Sequence, residues 1–440
     1  MPYFREYSLI CGFEVEMNSF VNIILWIAYV SSLYFSIFLL LVFFDKRQIF
    51  EKESDVHLEK FPMVSIIVPA FNEEKTIKKT LISIHNIDYP KDKYEVIVIN
   101  DGSSDRTPEI VLDYIKDKNN FQLISHDNMG KGASMNKAIG IAKGEFFTCL
   151  DADSFVHKLT LRKMLNMYYK ENDPRLAIIT PAMKVDKPNN LMQKVQWIEY
   201  IVIILIARLS SHLDSIYVAP GPFSLYVTQI IRDVGGFDEV SITEDQEIAY
   251  RMQLHHYKIR QCFDGYVYTN APRKIIPFYR QRRRWYLGSI DCVRKYKNLI
   301  ANKNYGDFGL IQMVKNVAGY VLATTGILIA IYLVIIPLFK RLKNLFLVNF
   351  DIWTYIMGYK FKFDYFDILV ADIKIGILVL VLFMLGFYFF YMAHKNANEK
   401  MMKVGLIVLI PYFAFYYLLK GIILLLSFIE YAQGKKIKWR

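Results

Sequence analysis

Five short segments of this 440-residue chain have side-chain types and spacings suited to chemistry. Asp151-Ala152-Asp153 follows an apolar run. Strand alternation puts residues i and i+2 on one side, so both carboxylates face one site. Two like charges that close repel unless a cation lies between them, and Mg²⁺ or Mn²⁺ with oxygen ligands fits. Two exposed aspartates in a polar loop would leave the same pattern. Asn100-Asp101-Gly102-Ser103-Ser104-Asp105 also follows a strand-like run, which puts Asp101 at a strand end facing a ligand; Asp-Gly is equally a turn signal. Thr243-Glu244-Asp245-Gln246 reads both as a capping box for a helix running to His256 and as a rigid mount for Asp245 as a general base. In Gln281-Arg282-Arg283-Arg284-Trp285, helical spacing puts Gln281, Arg284 and Trp285 on one face. Arg284 can then meet a diphosphate, with Trp285 beside it as a flat platform, while Arg282 and Arg283 point to lipid headgroups. A juxtamembrane basic cluster with an interfacial Trp gives the same letters. Gly130-Lys131-Gly132-Ala133-Ser134 is not a Walker A loop, because Ser125 stands where its first glycine belongs. Lys131, just ahead of a helix over 133–142, still attracts phosphate through charge and helix dipole.

Positioning these groups requires a scaffold. Apolar, β-branched runs at Val64–Val68, Val96–Ile99, Phe121–Ile124, Phe146–Leu150 and Ala177–Thr180 read as strands. Helix-period segments at Lys75–His85, Pro108–Lys118, Ala133–Ala142 and Leu161–Tyr169 lie between them. Strands alternating with helices predict an α/β domain over 61–303 with a mostly parallel mixed sheet covered on both faces. Ligands in such sheets bind at the carboxyl ends of the strands, where the acidic motifs fall.

The chain is 54% hydrophobic yet 22% charged, and the two kinds of residue occupy separate blocks. The apolar run 20–44, about 25 residues, is enough to cross a bilayer. Glu14 and Glu16 precede it and Lys46-Arg47 follow it, so the positive-inside rule puts segment 1–19 outside and the α/β domain in the cytoplasm. A C-terminal membrane region, 304–440, carries three further predicted spans at 317–339, 373–392 and 404–428. That count puts the C-terminus outside, whereas the basic tail Lys435–Arg440 argues for inside. The runs Ile198–Leu209 and Phe308–Met313 are too short to cross and read as interfacial helices or core. The net charge of +12 clusters beside apolar stretches, which points to a lipid bilayer and phosphate rather than nucleic acid. Cys11, Cys149, Cys262 and Cys292 lack metal-site spacing and read as reduced thiols.

Val64-Ser65-Ile66-Ile67-Val68-Pro69-Ala70-Phe71-Asn72-Glu73, then Asn100-Asp101-Gly102-Ser103, resembles the opening of family 2 inverting glycosyltransferases with a GT-A fold. Asp151-Ala152-Asp153, Thr243-Glu244-Asp245 and Gln281 to Trp285 are similar to that family's DxD, TED and QxxRW motifs, the last two marking its membrane-bound, often processive branch. The branch includes cellulose, hyaluronan, chitin-oligosaccharide and poly-N-acetylglucosamine synthases. The resemblance implies a nucleotide diphosphate sugar donor, UDP-linked, and a carbohydrate or lipid-linked acceptor. It implies that Ala70 and Glu73 lie near the nucleotide base and ribose, and that Asp101 contacts the base. Lys131 and Asp151 would approach the nucleotide, Asp153 would hold Mg²⁺ or Mn²⁺, and Asp245 would be the base. Arg284 would serve the diphosphate, with Gln281 and Trp285 on the acceptor side. Gly221-Pro222 is similar to an acceptor-site loop, while Asn270 departs from a glutamate common in relatives. The function expected is extension of a β-linked polysaccharide, coupled or not to export. The alternatives are single transfer to a lipid-linked acceptor and, in another class, an inactive membrane scaffold.

Overall fold

Alternating burial along the strands sorts the core into two layers on either side of one sheet. A computed structural model of the chain describes residues 19–45, 58–337, 339–340, 343 and 373–434. The expected external segment, Lys46-Arg47 and the basic tail lie outside the described residues. Two compact units make up the chain: Met1–Phe44 with Gly319–Tyr391, and Asp45–Ala318 with Met392–Arg440.

In the second unit the elements run β1 (Val64–Ala70), α2 (Ile77–His85), β2 (Tyr94–Asp101), α3 (Thr107–Ile115), β3 (Phe121–His126), α4 (Lys131–Ile141), β4 (Phe146–Cys149) and β5 (Phe155–Val156). They continue as α5 (Thr160–Glu171), β6 (Leu176–Val185), α6 (Leu191–His212), β7 (Leu225–Val227), α7 (Thr228–Asp233), α8 (Glu244–Leu254), β8 (Lys258–Thr269) and α9 (Ile275–Lys295). Helix α1 (Ser19–Asp45) precedes them, and α10 (Val314–Ala330), α11 (Ile373–Asn396) and α12 (Tyr417–Ala432) follow. The eight strands form one mixed sheet in the order β3-β2-β1-β4-β7-β6-β8-β5. Strands β3, β2, β1 and β4 are mutually parallel, as expected. Strand β7 runs antiparallel to both its neighbours, and β5 runs antiparallel to β8.

Val64, Ile66, Val68 and Ala70 of β1 enter one core with Ile77, Leu81 and Ile84 of α2. Ile67 of β1, Ile97 and Ile99 of β2 and Phe147 of β4 enter the other with Ala138 and Ile139 of α4 and Ile248 and Met252 of α8. Burial on both faces explains why these strands read as nearly continuous apolar runs. Register aligns Ala70 with Asn100 and Asp101 with His126, so the carboxyl ends of β1 and β2 form one rim.

Four helices among the described residues are long and apolar enough to cross a membrane: Trp26–Asp45 within α1, Leu191–His212, Phe308–Ala330 and Leu409–Ala432. Helix α11 is a further apolar helix of 24 residues. Two expectations change. Phe308–Met313 is not a separate short element but a π-helical lead-in continuous with α10. The run Ile198–Leu209 lies within the 22-residue α6, of whose most apolar stretch 72% is buried inside the protein. That helix is core, as one of the two readings held.

Candidate active site

The loops after β1 and β2 are laced together. Asn72 accepts from the Ser104 amide (2.8 Å), and Ser103 Oγ accepts from the Asn72 amide (3.0 Å). Thr107 Oγ1 accepts from the Glu73 amide (2.8 Å), and Asp105 from that of Glu74 (3.1 Å). Ala70 ends β1 in the core. The half-buried Glu73 carboxylate accepts from Thr76 Oγ1 at 2.5 Å. Burial, then the charges of Asp151 and Asp105, raise its pKa above the ordinary glutamate value.

Asp101 is buried, and its carboxylate accepts from the amides of Met129 (2.7 Å) and Gly130 (3.0 Å). It therefore ties the end of β2 to the loop that starts α4, and Gly102 makes the turn beyond it at φ 74°. Asp101 thus both ends β2 and precedes the turn, with its carboxylate bound to the chain's own amides. Lys131 is the first residue of α4 rather than two residues ahead of it. Its Nζ lies 2.7 Å from Asp151 Oδ1 and 2.9 Å from Glu244 Oε1. Burial works against the ammonium charge, but Asp151 and Glu244 more than offset it and hold the lysine pKa well above its usual value. A Cβ at Gly221 would sit 2.7 Å from Lys131 Nζ, so glycine there leaves the ammonium its room.

Asp151 and Asp153 follow β4, with Asp153 Oδ1 accepting from Ser154 Oγ at 3.1 Å. Burial first, then the charges of Asp151 and Glu73, push the Asp153 carboxyl up to about 7. Asn270 donates to the Asp153 carbonyl at 3.0 Å and so holds this turn. Asp245 lies in the first turn of α8, where Oδ1 accepts from the Gln246 amide at 2.8 Å. Burial and the Glu244 charge raise its carboxyl to about 6, with Lys131 and Arg284 pulling the other way.

Two expectations about motifs need correction. Thr243 occupies the N-cap of α8 but makes no side-chain cap. Its Oγ1 lies 3.9 Å from Cys292 Sγ, and Gln246 Nε2 donates to Ser289 Oγ at 2.8 Å, so both side chains bind α9 instead of closing a capping box. Arg282 and Arg283 do not reach for lipid headgroups. Arg282 is buried and pairs with Glu199 of α6, and Arg283 Nε donates to Glu430 of α12 at 2.6 Å. The sequence could not rank three consecutive arginines by partner, because those partners are 83 and 147 residues away. Arg284 Nη1 donates to the Ile242 carbonyl at 3.2 Å, just ahead of the α8 start. Trp285 is half-buried with the Arg282 guanidinium 4.1 Å from its ring, and Gln281 Oε1 is buried with no hydrogen-bond partner among the described residues. Lys131 thus joins the motif after β4 to that of α8, while α9 sets Arg284 beside Asp245. Glu199 escaped the sequence reading; being a lone glutamate inside the apolar stretch of α6 was the one available signal.

The described residues contain no group of three or more His, Cys, Asp or Glu side chains arranged to hold a metal. The repelled Asp151/Asp153 pair still fits a divalent cation whose remaining ligands come from phosphate oxygens and water, as is usual for Mg²⁺.

Residues 65–235 match the model of glycosyl transferase family 2. A poly-beta-1,6-N-acetyl-D-glucosamine synthase of Staphylococcus epidermidis strain ATCC 35984 is 31% identical over 271 residues, covering 61% of this chain and 65% of that protein. The match thus spans just under two thirds of that relative's length. Another synthase of the same description from Staphylococcus epidermidis is 28% identical over 420 residues, 94% of this chain and 95% of that one. Among solved structures, the mannosyltransferase PcManGT from Pyrobaculum calidifontis, in complex with GDP-Man and Mn²⁺, aligns at a TM-score of 0.49 with 20% identity, over 69% of this chain and 92% of that one. Over residues 65–235, which span most of one mixed sheet, this chain is thus similar to glycosyl transferase family 2.

Proposed function

We propose that this protein is a membrane-embedded, inverting glycosyltransferase that moves N-acetylglucosamine from a UDP-linked donor onto a growing β-linked polysaccharide. One observation carries the reading. Lys131 bridges Asp151 and Glu244, which gathers three motifs spread in sequence from Lys131 to Asp245 around two carboxyls of raised pKa, Asp153 and Asp245. A scaffold has no physical need to hold repelling carboxylates together. The similarity to poly-N-acetylglucosamine synthases supports the donor sugar.

An α-linked donor and a β-linked product require one inversion, hence a single displacement. The acceptor hydroxyl attacks the anomeric carbon, its proton passes to the Asp245 carboxylate, and the bond to the diphosphate breaks with its electron pair leaving on phosphate. A carboxyl poised near 6 is ionised at neutral pH yet basic enough for this task. Asp153, with Asp151, would hold Mg²⁺ or Mn²⁺, which when bound neutralises the diphosphate charge. Lys131 and Arg284 supply fixed positive charge beside the leaving group. Ala70, Glu73 and the loop held by Asp101 border the nucleoside. The indole of Trp285, one face covered by Arg282, offers the other to the acceptor sugar, with Gln281 one helical turn before it on α9. The positive-inside rule, applied to Lys46 and Arg47, supports a catalytic domain on the cytoplasmic side, where nucleotide sugars are available.

The test is incubation of membranes carrying the protein with a panel of radiolabelled nucleotide sugars, followed by product sizing. UDP-N-acetylglucosamine should give label in long, β-linked polymer. Label confined to one sugar on an extractable lipid would replace the polymerase with a lipid-acceptor transferase. No incorporation from any donor would remove the reading.

A further inference from the structure

We infer that Glu199 is a positioning residue for acceptor binding: it holds Arg282 beneath the Trp285 indole and ties α12 to the same point. The inference rests on the assignment of Trp285 to the acceptor. Glu199 sits on α6 with its side chain 6% exposed, and Arg282 on α9 at 3%. Three donors converge on that one carboxylate. Arg282 Nη2 and the Tyr416 hydroxyl (2.6 Å) share Oε2, and Lys420 Nζ takes Oε1. Arg282 Nη2 also lies 3.3 Å from the Tyr416 hydroxyl. The Arg282 guanidinium carbon then stands 4.1 Å from the Trp285 ring and 5.1 Å from that of Phe278.

These contacts form a chain of fixed groups from an apolar helix to the acceptor platform. Tyr416 and Lys420 belong to the stretch Leu409–Ala432, long and apolar enough to cross a membrane, where an ionisable side chain needs a partner. Glu199 supplies it. The seam continues along α9 and α12 through Arg283 with Glu430, Arg294 with Tyr431 (3.2 Å) and Tyr431 with Asp291 (3.1 Å). Those pairs also join α9 to α12 but do not touch Glu199 or Arg282. The Glu199 cluster bears on the indole, because a buried guanidinium held on one edge by a carboxylate cannot swing off the ring it covers. A purely structural pair would have no reason to fix the face of a half-exposed tryptophan.

The experiment uses the purified full chain, UDP-N-acetylglucosamine as donor and a soluble N-acetylglucosamine oligomer as acceptor. Glu199→Gln keeps the shape and one hydrogen bond but loses the charge. It should raise the acceptor KM by roughly threefold to thirtyfold, the range a desolvated cation–π contact covers. Donor Kd should stay within about twofold. Introduced into Trp285→Ala, the same change should have no further effect, because its route of action is gone. Tyr416→Phe removes a single hydroxyl from the same carboxylate, so it should shift the acceptor KM in the same direction by less. It decides the matter by the same readouts if Glu199→Gln does not fold. Factors that multiply in the double variant, or a parallel loss of donor binding, would overturn the inference. A wild type that transfers nothing from any nucleotide sugar sinks the transferase reading itself, whereas an active wild type with a silent Glu199→Gln sinks only this one.

Discussion

Replacing Asp245 by asparagine separates catalysis from architecture, because the two roles predict opposite changes in stability. The Asp245 carboxyl is raised from 3.8 to about 6 by burial and the Glu244 charge. The fold therefore disfavours its ionised form. That penalty is fully present above pH 6 and is relieved as pH falls from about 6 towards the unfolded-state value near 4. About two pKa units at roughly 1.4 kcal/mol each bound the penalty at about 3 kcal/mol. Asparagine carries no charge and escapes it. Asp245→Asn should thus melt at or above the wild-type temperature at pH 7, with the gap closing near pH 4. Transfer should nevertheless fall roughly 10²–10⁴-fold, the usual share of a general base. The wild-type kcat/KM should decline by about tenfold per pH unit below 6, and the residual activity of the variant should lack that limb. Thermal unfolding, UDP binding and label incorporation on one preparation supply all three readouts. A variant that transfers at the wild-type rate, or one whose stability and donor binding fall along with activity, would refute the assignment.

Asp153→Asn should lower transfer by roughly 10²–10³-fold, the scale of removing a main electrostatic stabiliser. It should also abolish Mn²⁺ binding in the presence of UDP, measured by calorimetry; full wild-type activity in excess chelator would contradict the metal role. Trp285→Ala should leave donor affinity within about threefold, a shift below roughly 1 kcal/mol, while long product disappears. Unchanged product length would return Trp285 to the status of an interfacial anchor. Gly288→Ala places a methyl 2.2 Å from Thr243 Oγ1, so α9 must draw back from the start of α8. Transfer should fall more than donor binding does, as read from incorporation and UDP affinity on the same sample.

The parallel half of the sheet was legible because β1, β2 and β4 are buried on both faces and read as unbroken apolar runs. Strand β8 was not, since Arg260, Gln261 and Asp264 interrupt it. In the fold Arg260 pairs with Glu171 at 2.8 Å and Asp264 with Lys163 at 2.8 Å, so polar letters occupy a strand that local pattern cannot recognise. Strand β7 has three residues, too few for any period. Helix α6 was cut short for a similar reason. Gln193 and Gln196 look like solvent-facing residues, yet both are buried and donate to the carbonyls of Ala271 (3.0 Å) and Pro272 (2.9 Å). Those amides fix the chain just after β8 as it turns into α9.

The site divides along the same physical line. Spacing within one element is visible in sequence, which is why the two aspartates after β4 and the face shared by Gln281, Arg284 and Trp285 could be read directly. Pairing between elements is not visible, and pairing decides what each charge does. Lys131 had the letters of a free phosphate ligand, but it is already neutralised by Asp151 and Glu244. A diphosphate entering beside it must compete with those carboxylates, and a divalent cation on Asp151 and Asp153 would release the lysine by taking its place. Donor binding should therefore depend on the cation through Lys131 as well as through Asp153. In the Lys131→Met variant, UDP affinity should become less responsive to Mn²⁺, and a Mn²⁺ response equal to that of wild type would show that the lysine is not held back by its carboxylates.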